Sequence, residues 1–157
     1  MIKSSIGQDS HRFDTGDAGK PLVLAGVVFE GEDALEANSD GDVVLHAIIR
    51  AITGITTVDV LGPKTKVFLE QGVTDSKVYL EEALKDLNGT VVHLSVSIEC
   101  KRPKIAPRIP EMRNSLASLL ETDANNIGIT ATSGEGLTEV GRGNGIAVFA
   151  VLTADCN

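Results

Sequence analysis

Polar and apolar residues alternate through Ile6–Arg12 and an apolar run follows at Leu22–Phe29. Two early strands are therefore expected, paired as a hairpin across a connection punctuated by Gly16, Gly19 and Pro21. The period then lengthens. Val44, Ile48, Ala51, Ile52 and Ile55 recur at helical spacing, with Ser39 as the expected cap, Asp42 completing a capping box and Gly54 as the stop. On that helix Asp42, His46 and Arg50 fall at i, i+4 and i+8, a polar line separate from the apolar stripe. Residues 56–73 show no clear period and predict a loop with some short structure. Thr74 or Asp75 opens a second helix whose buried side carries Leu80, Leu84 and Leu87, and Asn88-Gly89 ends it. Val91–Glu99 alternates as a strand. Pro103, Pro107 and Pro110 hold an extended loop, and Pro110 begins a third helix containing Met112, Leu116, Leu119 and Leu120. Strands at Ile127–Thr132 and Gly145–Thr153 flank a glycine-rich turn region.

This order of strands and helices in 157 residues predicts an α/β fold of the α+β type. One domain over residues 1–157 suffices, burying about two-thirds of its unfolded surface without disulfides. With no Trp, one Tyr and four Phe, the core falls to aliphatic side chains, and little stacking surface remains for single-stranded nucleic acid. A net charge of −8 also repels polyanions, so no nucleic-acid partner is expected. The one concentrated basic run, Lys101-Arg102-Pro103-Lys104, leaves a small phosphorylated ligand open. Cys100 and Cys156 lack zinc-type spacing and are expected as reduced thiols. Neither a signal sequence nor an apolar run of about 18 residues is present, so a cytoplasmic protein without membrane association is expected.

The chemistry concentrates in two segments, Ile6-Gly7-Gln8-Asp9-Ser10-His11-Arg12 and Ser39-Asp40-Gly41-Asp42-Val43-Val44-Leu45-His46. Asp9 and His11, two apart on a strand, share a face, with Ser10 turned the other way. His46 from the helix completes two imidazoles and a carboxylate, a set that suits zinc and leaves a fourth position open for catalysis. Asp42, on the face of His46, is a candidate to orient the imidazole. Gly141-Arg142-Gly143-Asn144-Gly145 precedes a strand pattern rather than a helix, which argues against a dinucleotide loop. His93 reads as an ordinary strand residue.

These segments, together with Lys101-Arg102-Pro103-Lys104, Ala131-Thr132-Ser133-Gly134-Glu135 and Gly141-Arg142-Gly143-Asn144-Gly145-Ile146, resemble the 2-C-methyl-D-erythritol 2,4-cyclodiphosphate synthase family nearly end to end. The resemblance implies a homotrimer with a mixed sheet in each subunit covered by helices, active sites between subunits, and a step in non-mevalonate isoprenoid synthesis. It implies zinc at Asp9, His11 and His46, and magnesium or manganese at Glu135 beside the substrate diphosphate. Catalytic roles fall to Asn38 and Ser133. Substrate contacts fall to Asp9, Ser10, His11, Asn38, Ser39 and Arg142, and phosphate contacts to Thr132, Ser133, Gly134 and Glu135. The run Cys100, Lys101, Arg102, Pro103, Lys104, Ile105 and Ala106 would surround the cytidine, with Lys104 available to phosphate. Three departures stand out. Asn38 replaces a histidine common in the family, Arg50 replaces a usual aspartate, and Leu61–Phe68 lacks the usual acidic loop, leaving Asp59 and Gly62 as the nearest ribose-contacting equivalents.

The expected reaction is cyclisation of 4-diphosphocytidyl-2-C-methyl-D-erythritol 2-phosphate with release of CMP. A zinc phosphohydrolase is the competing enzyme, and a module that binds metal and cytidine nucleotide without turnover is the reading from another class.

Overall fold

The computed structural model describes residues 1–16 and 19–157; residues 17 and 18, within the connection expected after the first strand, lie outside the described residues. Strand β1 (Ile2–Arg12) does not pair with the next apolar segment. It runs antiparallel to the last strand, β6 (Gly145–Cys156), in continuous register from Ile2 opposite Asp155 to Arg12 opposite Gly145. Strand β4 (Gly89–Glu99) pairs antiparallel with β6 on its other edge and parallel with β5 (Ile127–Thr132), giving a four-stranded mixed sheet in the order β1-β6-β4-β5. A parallel pair needs a crossover, and the helix Ile109–Leu120 supplies it between β4 and β5.

The expected early hairpin is thus corrected. Leu22–Phe29 folds on itself as two short strands, β2 (Leu22–Leu24) and β3 (Val27–Phe29), joined through Ala25 and Gly26 at φ 56° and 74°. Both central residues at positive φ make a turn whose twist suits a two-residue hairpin. Alanine is a poor signal for it, and the turn is held from outside: Asp42 accepts the N–H groups of Ala25 and Gly26, and the Ser115 hydroxyl donates to the Ala25 carbonyl.

Helix α1 (Val43–Thr56) is capped by Asp42, whose side chain accepts from Leu45 N, rather than by Ser39. It passes through Gly54 and ends with Thr57 in the left-handed region. Gly54 serves a different purpose. A Cβ there would lie 1.8 Å from Ser5 Oγ, and one on Gly7 would lie 2.0 Å from the Ala47 carbonyl, so the two glycines let α1 lie directly on β1. Nearly the whole of α1 is buried, including Val44, Leu45, Ile48, Ile49 and Ile52, each large side chain contributing about 1.5–3 kcal/mol to folding. Sheet and helix α3 (Ser76–Lys85), capped by Asp75, enclose it from two sides. The expected loop at residues 56–73 contains a wide helical turn at Val60–Lys64 followed by α2 (Thr65–Glu70). α4 is the Ile109–Leu120 crossover helix. The helices cover one face of the sheet, while Ile6, Phe149 and Val151 stand exposed on the other.

Candidate metal centre

Because α1 rests on β1 at Gly7, the helix sets His46 directly above the next inward-facing strand positions, Asp9 and His11. The three ligand atoms converge. Asp9 Oδ2 lies 2.9 Å from His11 Nε2 and 3.1 Å from His46 Nδ1, and the two ring nitrogens are 3.4 Å apart. Four ligands at about 2.0–2.1 Å around a tetrahedral ion have ligand-to-ligand edges of about 3.3 Å, so the spacing fits zinc. Among the described residues, this is the group of His, Cys, Asp or Glu side chains able to hold an ion.

Hydrogen bonding on the far side of each ring fixes its tautomer. The Glu36 carbonyl can only accept, so His11 Nδ1 donates to it at 2.8 Å and His11 Nε2 keeps its lone pair in the neutral ring. Ser76 Oγ donates its proton to Asp40 Oδ1 at 2.5 Å, which obliges it to accept from His46 Nε2 at 2.9 Å. His46 Nδ1 therefore also faces the triad with a lone pair. Two lone pairs and a carboxylate oxygen within 3.4 Å of one another repel unless a cation lies among them.

Without a cation, a proton takes its place between the rings and Asp9. Burial would raise the Asp9 carboxyl, but hydrogen bonds and charge from His11 and His46 outweigh it and hold the group well below the usual carboxylate range. In the absence of an ion His11 is raised, because its protonated ring donates Nε2–H to the Asp9 carboxylate, against the opposing effect of burial. The expected role of Asp42 in orienting His46 is corrected: Asp42 is fully buried and its carboxylate is occupied by the N–H groups of Ala25, Gly26 and Leu45. Burial pushes that carboxyl up to about 6 despite these bonds. Helical periodicity put Asp42 beside His46, but capping turned its side chain away. Asp40 and Ser76 do the orienting instead, with Asp40 also accepting the backbone N–H of Ser76 at 3.0 Å. The Ser-Asp-Gly-Asp motif offered a signal for Asp40. Ser76, 30 residues from His46, had none.

The triad opens into a cavity of about 590 Å³ whose walls include Asn38, Ser39, Arg50, Leu61, Thr65 and Tyr79. Asn38 and Ser39 are thus brought to the metal side, although Ser39 is buried and its hydroxyl accepts from Gly41 N. Asp59 caps the wide turn through Leu61 N, and neither it nor Gly62 lines this cavity.

A second cluster forms where the parallel strands β4 and β5 end. Cys100 N donates to the Thr132 carbonyl at 3.0 Å, joining the 100–106 segment to Thr132, Ser133, Gly134 and Glu135. Gly134 sits there at φ 77°, in the left-handed region that favours glycine. Ser133 Oγ accepts the backbone N–H of Glu135 at 3.3 Å. None of these residues lines the triad cavity. Arg102 connects the two regions: it pairs with Asp33 at 2.9 Å, stacks 4.0 Å above the Phe13 ring, and shares a cavity of about 600 Å³ with Ser10 and His11. Burial, with the charges of Glu32 and Glu99, pushes the Cys100 thiol up to about 11, which removes it as a nucleophile. Arg142 pairs with Glu139 and donates to the Gly136 carbonyl. Cys100 and Cys156 are both free and buried.

A mixed sheet with one helical layer and an Asp-His-His centre open on one side defines an α/β chain built for metal-assisted chemistry. The model of the YgbB family matches residues 2–155, and the chain belongs to that family. A 2-C-methyl-D-erythritol 2,4-cyclodiphosphate synthase from Chlamydia trachomatis serovar L2b is 50% identical over 156 residues, covering 98% of this chain and 88% of the relative. A solved 2C-methyl-D-erythritol-2,4-cyclodiphosphate synthase in its CDP-bound form superposes with a TM-score of 0.83 at 27% identity, covering 98% of this chain and 100% of that one. The bifunctional IspDF from Campylobacter jejuni matches with a TM-score of 0.86 at 26% identity, over 100% of this chain and 43% of that chain.

Proposed function

We propose that this chain is a metal-dependent lyase that converts 4-diphosphocytidyl-2-C-methyl-D-erythritol 2-phosphate to 2-C-methyl-D-erythritol 2,4-cyclodiphosphate and CMP. The observation that carries this reading is the convergence of Asp9, His11 and His46 with both imidazole lone pairs turned to one point. Its relatives' shared name agrees. An ion held there would supply Lewis-acid charge to a phosphoryl oxygen. The chain's own residues bind, orient and enclose. The substrate's 2-phosphate oxygen attacks the phosphorus next to the erythritol, the bond to the CMP oxygen breaks, and CMP departs as the phosphate monoester. The attacking group belongs to the substrate, so the protein's contribution is orientation plus electrostatic stabilisation. A buried, high-pKa Cys100 is consistent with a reaction that needs no protein nucleophile.

Within this reading residues 1–157 act as one synthase domain. Asn38 and Ser133 contact the reacting phosphates, and Glu135 holds magnesium or manganese against the diphosphate with Thr132 and Gly134. The 100–106 segment encloses the cytidine, and Ser10, Ser39, Asp59, Gly62 and Arg142 lie against substrate. The triad and the nucleotide segments occupy different parts of one chain, which supports a composite site completed by a second copy. The exposed sheet face gives that assembly a surface: Ile6, Phe149 and Val151 are 63%, 50% and 41% exposed on adjacent strands, an apolar patch suited to subunit contact in a homotrimer. No described helix is long and apolar enough to cross a membrane, and we place the reaction in the cytoplasm.

The test is the product. Phosphorus NMR of the substrate incubated with zinc- and magnesium-loaded protein should show a cyclic diphosphate and CMP. A linear product carrying oxygen-18 from labelled water would establish the phosphohydrolase instead, and tight CDP binding without any product would establish a binding module.

A further inference from the structure

The cavity above the triad must receive a substrate carrying a diphosphate and a separate phosphate, in a chain whose net charge is −8. Metal charge answers for part of that load. Among the described residues lining the cavity, Arg50 is the one Lys or Arg side chain, and Asp14 and Glu36, which also line it, add negative charge. Lys20 lies behind the wall, its ammonium already bonded to the Ala37 and Ser39 carbonyls at 2.9 and 3.2 Å.

Arg50 is differently placed. It follows His46 by one helical turn, so both side chains leave α1 on the same side. Its backbone is pinned where α1 meets β1 at Gly7, while its side chain is exposed and makes no ion pair or hydrogen bond with any described residue. Arg102, Arg108 and Arg142 are by contrast paired, with Asp33, Glu111 and Glu139. A guanidinium beside a metal centre, without a partner among the described residues, presents a planar fork of donors matched to two phosphate oxygens. Leu61, Leu69 and Tyr79, which also line the cavity, add low-dielectric surface to it.

We infer that Arg50 is an anion grip for the phosphomonoester of the substrate, the group not taken by the nucleotide end of the site, and so selects substrates that carry this second phosphate. The inference rests on the proposed reaction for the identity of the ligand. It assigns Arg50 to binding and alignment of the attacking group, with the fork holding the phosphate still while one of its oxygens remains free to react.

The experiment separates this from the reaction itself. Calorimetric titration of the zinc-loaded protein with the full substrate and with the same molecule lacking its 2-phosphate gives a preference ratio. Arg50→Gln should reduce that ratio about 10- to 100-fold, the scale of a charge-assisted pair of hydrogen bonds. Affinity for CDP, zinc content and melting temperature should stay near wild type, and Arg50→Lys should recover part of the ratio as a point charge. An unchanged ratio overturns the inference, as does an equal loss of affinity for CDP. Absence of CMP release by the wild-type protein would sink the lyase reading alone, because the ratio is read from binding.

Discussion

The most exacting test of the architecture lies at Asp42, one buried carboxylate joining two elements. Its Oδ1 accepts from Ala25 N at 2.9 Å and Leu45 N at 3.0 Å, and its Oδ2 accepts from Gly26 N at 2.7 Å. Asp42→Ala removes the cap of α1, worth about 1 kcal/mol. It also strands the N–H groups of Ala25 and Gly26, at about 1–3 kcal/mol each. Relaxation of the turn trims the sum, so the expected loss is about 3–5 kcal/mol, a large part of the 5–15 kcal/mol typical of a domain. Asp42→Asn discriminates further. Its carbonyl oxygen can keep the bonds to Ala25 and Leu45, but its NH₂ then faces the Gly26 N–H, donor against donor, for an expected loss of about 1–3 kcal/mol. Urea unfolding of the zinc-saturated proteins at pH 7.5, above the raised carboxyl value of about 6, measures both with wild-type Asp42 ionised. Because that value lies above the ordinary 3.8, the group holds its proton more tightly in the folded state. Its contribution to stability therefore declines as pH rises from about 4 to about 6, a slope that Asp42→Asn should abolish. If Asp42→Asn matched wild type and Asp42→Ala lost no more than a single cap, the turn at Ala25-Gly26 would not depend on this carboxylate.

Ser76→Ala should weaken zinc binding about 10- to 100-fold in a chelator competition, since His46 loses the partner that fixes its tautomer, with Ser76→Thr recovering most of it; equal affinities would assign Ser76 to packing. His11→Ala and His46→Ala should each lose bound zinc while the fold survives, as elemental analysis and circular dichroism can establish together. Zinc affinity should fall as pH drops through the raised His11 value, because the ion must displace the proton that His11 Nε2 donates to Asp9, and calorimetry in buffers of different ionisation enthalpy should detect its release. Mixed assembly of inactive His46→Ala and Glu135→Ala chains should restore part of the CMP release by forming some intact composite sites; a monomer by light scattering would remove the subunit-bridging arrangement.

Residues two apart on a strand share a face whatever the strand pairs with, so Asp9 and His11 could be read as co-ligands from spacing alone. His46 could be added by chemistry and by family resemblance. Strands and helices with strong periods, such as Ile127–Thr132 and the helix through Leu80, were legible for the same local reason. What local pattern does not contain is the partner. Pairing of β1 with β6 joins the two ends of the chain, over a separation no period records. The turn at Ala25-Gly26 exists because Asp42 and Ser115 reach it from elsewhere. Gly54, expected as a helix stop, and Gly7 both owe their purpose to the contact between α1 and β1, where a side chain would not fit. The Asp42 side chain, placed beside His46 by periodicity, went instead to the orphan N–H groups at the helix start and at a distant turn. His46 consequently took its orientation from Ser76 and Asp40. Sequence determined which atoms could bind a metal, since donor chemistry belongs to the residue; tertiary structure decided which way each lone pair points, because that depends on who accepts the proton on the other side of the ring.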